Sequence, residues 1–93
     1  MSQFNPTLIS DAIATYGTAA QLDQLQEEAC ELSVALSHYR RGRDKKEVLA
    51  EIGDVYLMLA QARKIFGDDQ VNEACAASAD KLALRLGKDA VPY

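Results

Sequence analysis

The stretch TAAQLDQLQEEACELSVALSHYR, residues 18–40, decides the fold. Its apolar positions Leu22, Leu25, Ala29, Leu32, Leu36 and Tyr39 recur at alternating intervals of three and four. That spacing lays one stripe along a helix, the seam of an antiparallel bundle or coiled coil. Thr18 and Gln21 have the form of a capping box, which predicts a helix from about Ala19 to Arg40. Upstream, Asn5-Pro6 reads as an N-cap with proline at the first helical position. Leu8, Ile9, Ala12, Ile13 and Tyr16 follow at helical spacing, and Gly17 ends that helix.

Downstream, Arg40-Arg41-Gly42-Arg43-Asp44 forms a short basic turn, and Asp44 is the expected cap of a third helix running to Phe66. Gly67 stops it. Asp68 is the expected cap of a fourth helix ending near Leu86, with Gly87 just past it. The tail from Lys88 to Tyr93 reads as loose. The fold class expected is all-α: an antiparallel hairpin with flanking helices that forms a larger bundle on oligomerisation. One domain of 93 residues is expected, its core at about residues 6–87.

The third helix shows why oligomerisation is expected. Val48, Ile52, Val55, Leu59, Ala62 and Phe66 mark one face, Leu57 falls opposite, and Met58 and Ile65 lie between. A helix apolar most of the way round needs cover on several sides. The expected partner is a second copy, as a homodimer or a dimer of dimers.

Composition removes other classes. A net charge of −4 disfavours a general nucleic-acid binder, which needs a basic face. A helix-turn-helix DNA binder is the most distant alternative. The longest apolar run, Val55 to Ala60, is far shorter than a bilayer span, so no membrane partner is expected. Residues 1–5 carry neither a basic nor an apolar stretch, so no secretory signal is expected. Cys30 and Cys75 have no partners at zinc spacing, and His38 is the one histidine. They read as two reduced, core-packed thiols of a cytoplasmic protein, and His38 as an exposed residue with no catalytic part.

The informative residues are acidic. Glu28 and Glu31 are three apart on the second helix, as are Glu51 and Asp54 on the third. Like charges at this spacing repel. Each pair also interrupts or borders the apolar arc, where a solvated acidic face would lie opposite it. A hairpin turning near Gly42 puts Glu28 14 positions before the turn and Asp54 12 after it. Glu31 and Glu51 stand 11 before and 9 after. The two pairs therefore meet at nearly the same height, and no lysine or arginine lies beside them on the second helix. Four unpaired carboxylates in a half-buried seam need a counter-charge. A hard divalent cation, Mg²⁺ or Mn²⁺, supplies it through oxygen ligands.

Glu27-Glu28-Ala29-Cys30-Glu31, nineteen residues, then Glu51-Ile52-Gly53-Asp54 resembles the E-E-x-x-E … E-x-x-D pattern of MazG-like nucleotide pyrophosphohydrolases. These belong to the all-α NTP pyrophosphatase superfamily. The resemblance covers about Ala12 to Leu86 and is nearest to the short, single-domain type. It implies an all-α bundle of two or more chains. It also implies hydrolysis of a nucleoside triphosphate to monophosphate and pyrophosphate with Mg²⁺, Mn²⁺ being the other candidate. Glu28, Glu31, Glu51 and Asp54 match the metal ligands of the family. Glu27 matches the first glutamate of its motif, with a metal-bridging or water-orienting role.

Lys81 and Arg85, four apart, resemble a late basic pair that reaches substrate phosphates; a solvated helix end is the plainer alternative. Gln21 resembles a glutamine placed to touch base or ribose, although helix capping is simpler. Gln24 lies one turn before the acidic motif. Asn72 is a further candidate substrate contact, with capping or solvent as its simpler role. The basic turn, with Lys45 and Lys46, reads as solvated, and Lys64 ranks below Lys81 and Arg85. Tyr16, Tyr39, Tyr56 and Phe66 read as core in preference to base-stacking residues. Phosphoribosyl-ATP pyrophosphatase is the second enzyme expectation; Met58, where that family usually has histidine, counts against it. A non-catalytic nucleotide-binding or helical interaction module is the alternative outside catalysis.

Overall fold

The computed structural model describes residues 3–87, and the expected loose tail lies outside them. Four helices form the described chain: α1 (Pro6–Tyr16), α2 (Thr18–Arg40), α3 (Lys46–Phe66) and α4 (Asp68–Arg85). No strand occurs among the described residues, so the fold is all-α. No helix among them is long and apolar enough to cross a membrane.

Helices α2 and α3 form the main antiparallel pair. Helix α1 packs on both, and α4 packs on α3 alone. Asn5 caps α1 through its side chain, which accepts from the Thr7 N–H at 2.8 Å, with Pro6 opening the helix. Asp44 acts one residue further out than expected: it accepts from the Lys46 N–H at 2.8 Å, while Lys45 already has helical dihedrals.

Two expected caps are replaced. Gly17 stands before α2 and Gly67 before α4, with φ of 90° and 102°. Each glycine closes one helix and opens the next, a left-handed elbow that other residues adopt only with strain. Thr18 and Asp68 thereby become the first helical residues, and neither helix has a side-chain cap. Asp68 instead accepts from Arg63 Nε at 3.0 Å across the α3–α4 elbow.

The core is thin. Ile9, Ala35, Val48 and Met58 are buried among the three packed helices, and Ala83 is buried on α4. The stripe of α2 is realised in part: Leu22, Leu25 and Leu32 are half-buried, whereas Leu36 and Tyr39 are exposed. On α3 the expected face is divided. Val48 is buried and Val55 half-buried, but Ile52, Leu59 and Phe66 are exposed. The helix turns Met58 and Gln61 inward instead, because its packing neighbours, chiefly α2 with α1, cover one arc and leave the other bare. The tyrosines Tyr16, Tyr39 and Tyr56 are likewise exposed, not core.

Both cysteines are free, as expected, but Cys30 is exposed and Cys75 half-buried, so neither is packed in a core of this chain. His38 is half-buried, not exposed, and its Nδ1 lies 3.0 Å from Glu47 Oε2, joining the end of α2 to the start of α3.

Candidate metal centre

The α2–α3 seam carries two polar rungs. The first joins Gln21 to Gln61. Gln61 is 3% exposed, and its Oε1 accepts from Gln21 Nε2 at 2.6 Å. Its own Nε2 reaches Met58 Sδ at 3.5 Å. Gln21 therefore does not cap α2, and its NH₂ group is directed at Gln61.

Seven residues further along α2, and seven back along α3, lies the second rung. The antiparallel register that pairs Gln21 with Gln61 also aligns Glu28 with Asp54 and Glu31 with Glu51. One carboxylate oxygen from each of Glu28, Glu51 and Asp54 lies within 4.8 Å of the others. Glu28 and Glu51 are half-buried and Asp54 is exposed, so the cluster opens to solvent on one side.

This rung is unsatisfied. Glu28 Oε2 and Glu51 Oε2 are both buried and without a hydrogen-bond partner. Glu28 Oε1 accepts from Gln24 Nε2 at 2.8 Å. The ion pairs found among the described residues, His38 with Glu47 and Arg63 with Asp68, include none of Glu28, Glu51 and Asp54. Burial pushes the Glu51 carboxyl above the ordinary glutamate range. The charge of Glu31, the adjoining carboxylate of Glu28 and the charge of Asp54 push it further.

Glu31 stands just outside the tight group. A step of three residues turns it about 60° from Glu28, toward the rim. There it lines a shallow cleft with Cys30, Val34, Glu47 and Glu51. Glu27 is exposed and belongs to neither group. Glu47 was not singled out by motif; its fourth-residue spacing from Glu51 places it on the same side of α3.

The candidate substrate contacts are not gathered here. Lys81 and Arg85 are exposed on α4, which makes no packing contact with α2. The Asn72 side chain accepts from Arg63 Nη2, so its oxygen is already engaged. Lys64 is exposed near the end of α3. Gln61 and Arg63 are the polar residues that sequence patterning did not single out. A lone glutamine in an apolar helix looks like any solvated position, and an arginine near a helix end looks like any solvated charge.

The donor set is all oxygen and all anionic, with two buried atoms lacking partners. That chemistry fits a hard divalent cation better than a soft metal. Neither a family model nor a curated protein nor a solved structure gives a match to this chain.

Proposed function

We propose that this chain is a Mg²⁺-dependent nucleoside triphosphate pyrophosphohydrolase, converting an NTP or dNTP to NMP and pyrophosphate. The observation that carries the reading is the pair of buried, unpartnered oxygens on Glu28 and Glu51, gathered with Asp54. Such oxygens are costly to leave without a donor or a counter-charge. Glu28, Glu51 and Asp54 would hold the cation, with Glu31 at the open rim. Bound there, Mg²⁺ or Mn²⁺ would neutralise phosphate oxygens and lower the pKa of an attacking water.

The chain's own residues supply position and charge. The apolar walls of the seam limit water around Glu28 and Glu51, which strengthens their hold on a cation. The site is open to solvent on the side of the exposed Asp54, where a triphosphate would enter. Glu27, exposed and outside the cluster, would have the metal-bridging or water-orienting role that the motif implies.

The working form in this proposal is a homodimer or a dimer of dimers. A compact monomer of 10.2 kDa exposes about 5,300 Å². This chain exposes 7046 Å². Its radius of gyration is 15.6 Å, against about 12 Å for a compact domain of this length. The excess surface is of the size that a stable interface removes. Ile52, Tyr56, Leu59 and Phe66 supply its apolar part. Lys81 and Arg85 would then reach phosphates in the assembly, not within one chain. A helical interaction module without turnover draws on the same exposed arc and is the second reading. Met58 is buried beside Gln61 and away from solvent, which lends nothing to the phosphoribosyl-ATP alternative.

The test is pyrophosphate release from a panel of canonical and modified NTPs and dNTPs, with and without Mg²⁺, beside Glu51→Gln. Metal-dependent release that vanishes in the variant is expected, and the panel names the base. A folded, metal-bound chain that releases nothing from any of them would favour the interaction module.

A further inference from the structure

We propose that two copies of this chain pair α3 against α3 in antiparallel fashion, the start of each α3 seated at the α3–α4 elbow of the other. The inference rests on the homodimer of the proposed reading and draws on neither the metal centre nor catalysis.

Leu49, Ile52, Tyr56, Leu59, Arg63 and Phe66 follow one another at intervals of three, four, three, four and three. That is the spacing of a coiled-coil seam. Its apolar members are between 37% and 56% exposed, while Met58 and Gln61 on the covered side of α3 are closed off from water. Helix α4 packs on α3 alone, so it lies away from α2. Phe66, the last member of the seam, also lines an open apolar groove with Val71, Ala74 and Cys75 of α4. The bare seam therefore runs on into the elbow.

Spacing, charge and area choose a second copy as the occupant. The intervals are the same read from either end, so the seam fits its own reverse. In that register Leu49 of one copy meets Phe66 of the other, and Tyr56 meets Leu59. Ile52 packs on the stem of Arg63, whose charged end is already held by Asp68 and Asn72. The start of α3 is basic, with Arg43, Lys45 and Lys46, and its far end turns into Asp68 and Asp69. Lys45, Lys46 and Asp69 are all exposed. Antiparallel pairing brings Lys46 of one copy beside Asp69 of the other, whereas parallel pairing would set like charges together. A two-fold axis makes every such contact twice. The chain exposes 7046 Å², about 1,700 Å² more than a compact monomer of its mass. One partner of a standard interface buries about 800 Å², so the excess covers what this pairing needs.

The test is sedimentation equilibrium of the full chain, which gives the dimerisation constant. Leu59→Glu puts a charge at the centre of the seam and should weaken dimerisation at least about 100-fold. Leu59 is exposed in the single chain, and circular dichroism checks that the helices persist. A charge exchange tests the register without touching the apolar seam. Lys46→Glu and Asp69→Lys should each weaken dimerisation about tenfold, and the two together should restore it. Damage by each substitution to its own helix would accumulate in the double variant. A dimer that withstands Leu59→Glu, or a charge exchange without recovery, overturns this pairing and leaves the homodimer to another face. A wild type that stays monomeric at every concentration overturns both, and neither outcome bears on pyrophosphate release.

Discussion

Two rungs of one seam, seven residues apart, are built to opposite rules. At Gln21 and Gln61 the buried polar atoms meet each other, and Gln61 is closed off from water. At Glu28, Glu51 and Asp54 the polar atoms are like-charged, two oxygens have no partner, and one side is open. Both rungs interrupt the same apolar packing. Buried polar groups are normally paired, so the satisfied rung is explained by the fold itself. The unsatisfied rung points to something that arrives from outside. Its cost is borne by the folded chain, and in the proposed reading a cation would offset it.

The comparison is broken most severely at Glu51. Glu51→Gln should cut pyrophosphate release by at least about 100-fold, since it removes a proposed ligand and a negative charge together. A coupled pyrophosphate assay reads this directly. Retained turnover would mean that the unsatisfied rung is not the reaction centre.

The amide rung should respond in stability instead. Gln21→Met leaves the buried Gln61 Oε1 without its donor and should cost about 1–3 kcal/mol. Gln21→Met with Gln61→Met replaces both partners and should recover most of that loss. Urea denaturation of the two single variants and the double variant measures the coupling. A double variant no better than the worse single one would remove the pairing from the account.

The carboxylate rung should also leave a signature in pH. The folded-state value of Glu51 is raised, so the folded chain holds a proton that the unfolded chain has already released. Stability without metal should therefore fall as pH rises from the ordinary glutamate range through the raised value. Below that window the protonated form is uncharged in both states and the effect is absent. Thermal melts in EDTA across pH 4–7 check the slope, and Glu51→Gln should flatten it. The smallest effects belong to the exposed links. His38→Ala and Arg63→Met each remove a half-exposed pair and should cost no more than about 1 kcal/mol.

Periodicity and glycine placement made the four helices legible, because a three-four spacing and a chain-reversing residue act locally. The height of the carboxylate pairs was legible too, since a short turn fixes the register of a hairpin. The buried arc of α3 was not legible. Ile52, Leu59 and Phe66 are as apolar as Met58, and only the neighbour decides which arc is covered. Thr18 and Asp68 carry cap chemistry, but each follows a glycine that already turns the chain, so neither is needed as a cap. Gln61 was hidden because its partner is forty residues away. The type and place of Asn72 suit a substrate contact equally well, but its side-chain oxygen accepts from Arg63, a partner nine residues back that the motif does not reveal.

The most direct measurement is the thermal melt of wild type and Glu51→Gln at neutral pH, in EDTA and then with increasing Mn²⁺. Without metal, the variant should melt above the wild type, because a repelled, half-buried charge has gone. Added Mn²⁺ should raise the wild-type midpoint with concentration and leave the variant where it was. A wild type indifferent to millimolar Mn²⁺, or a variant stabilised as strongly by the ion, would contradict the claim that this rung is made for a cation.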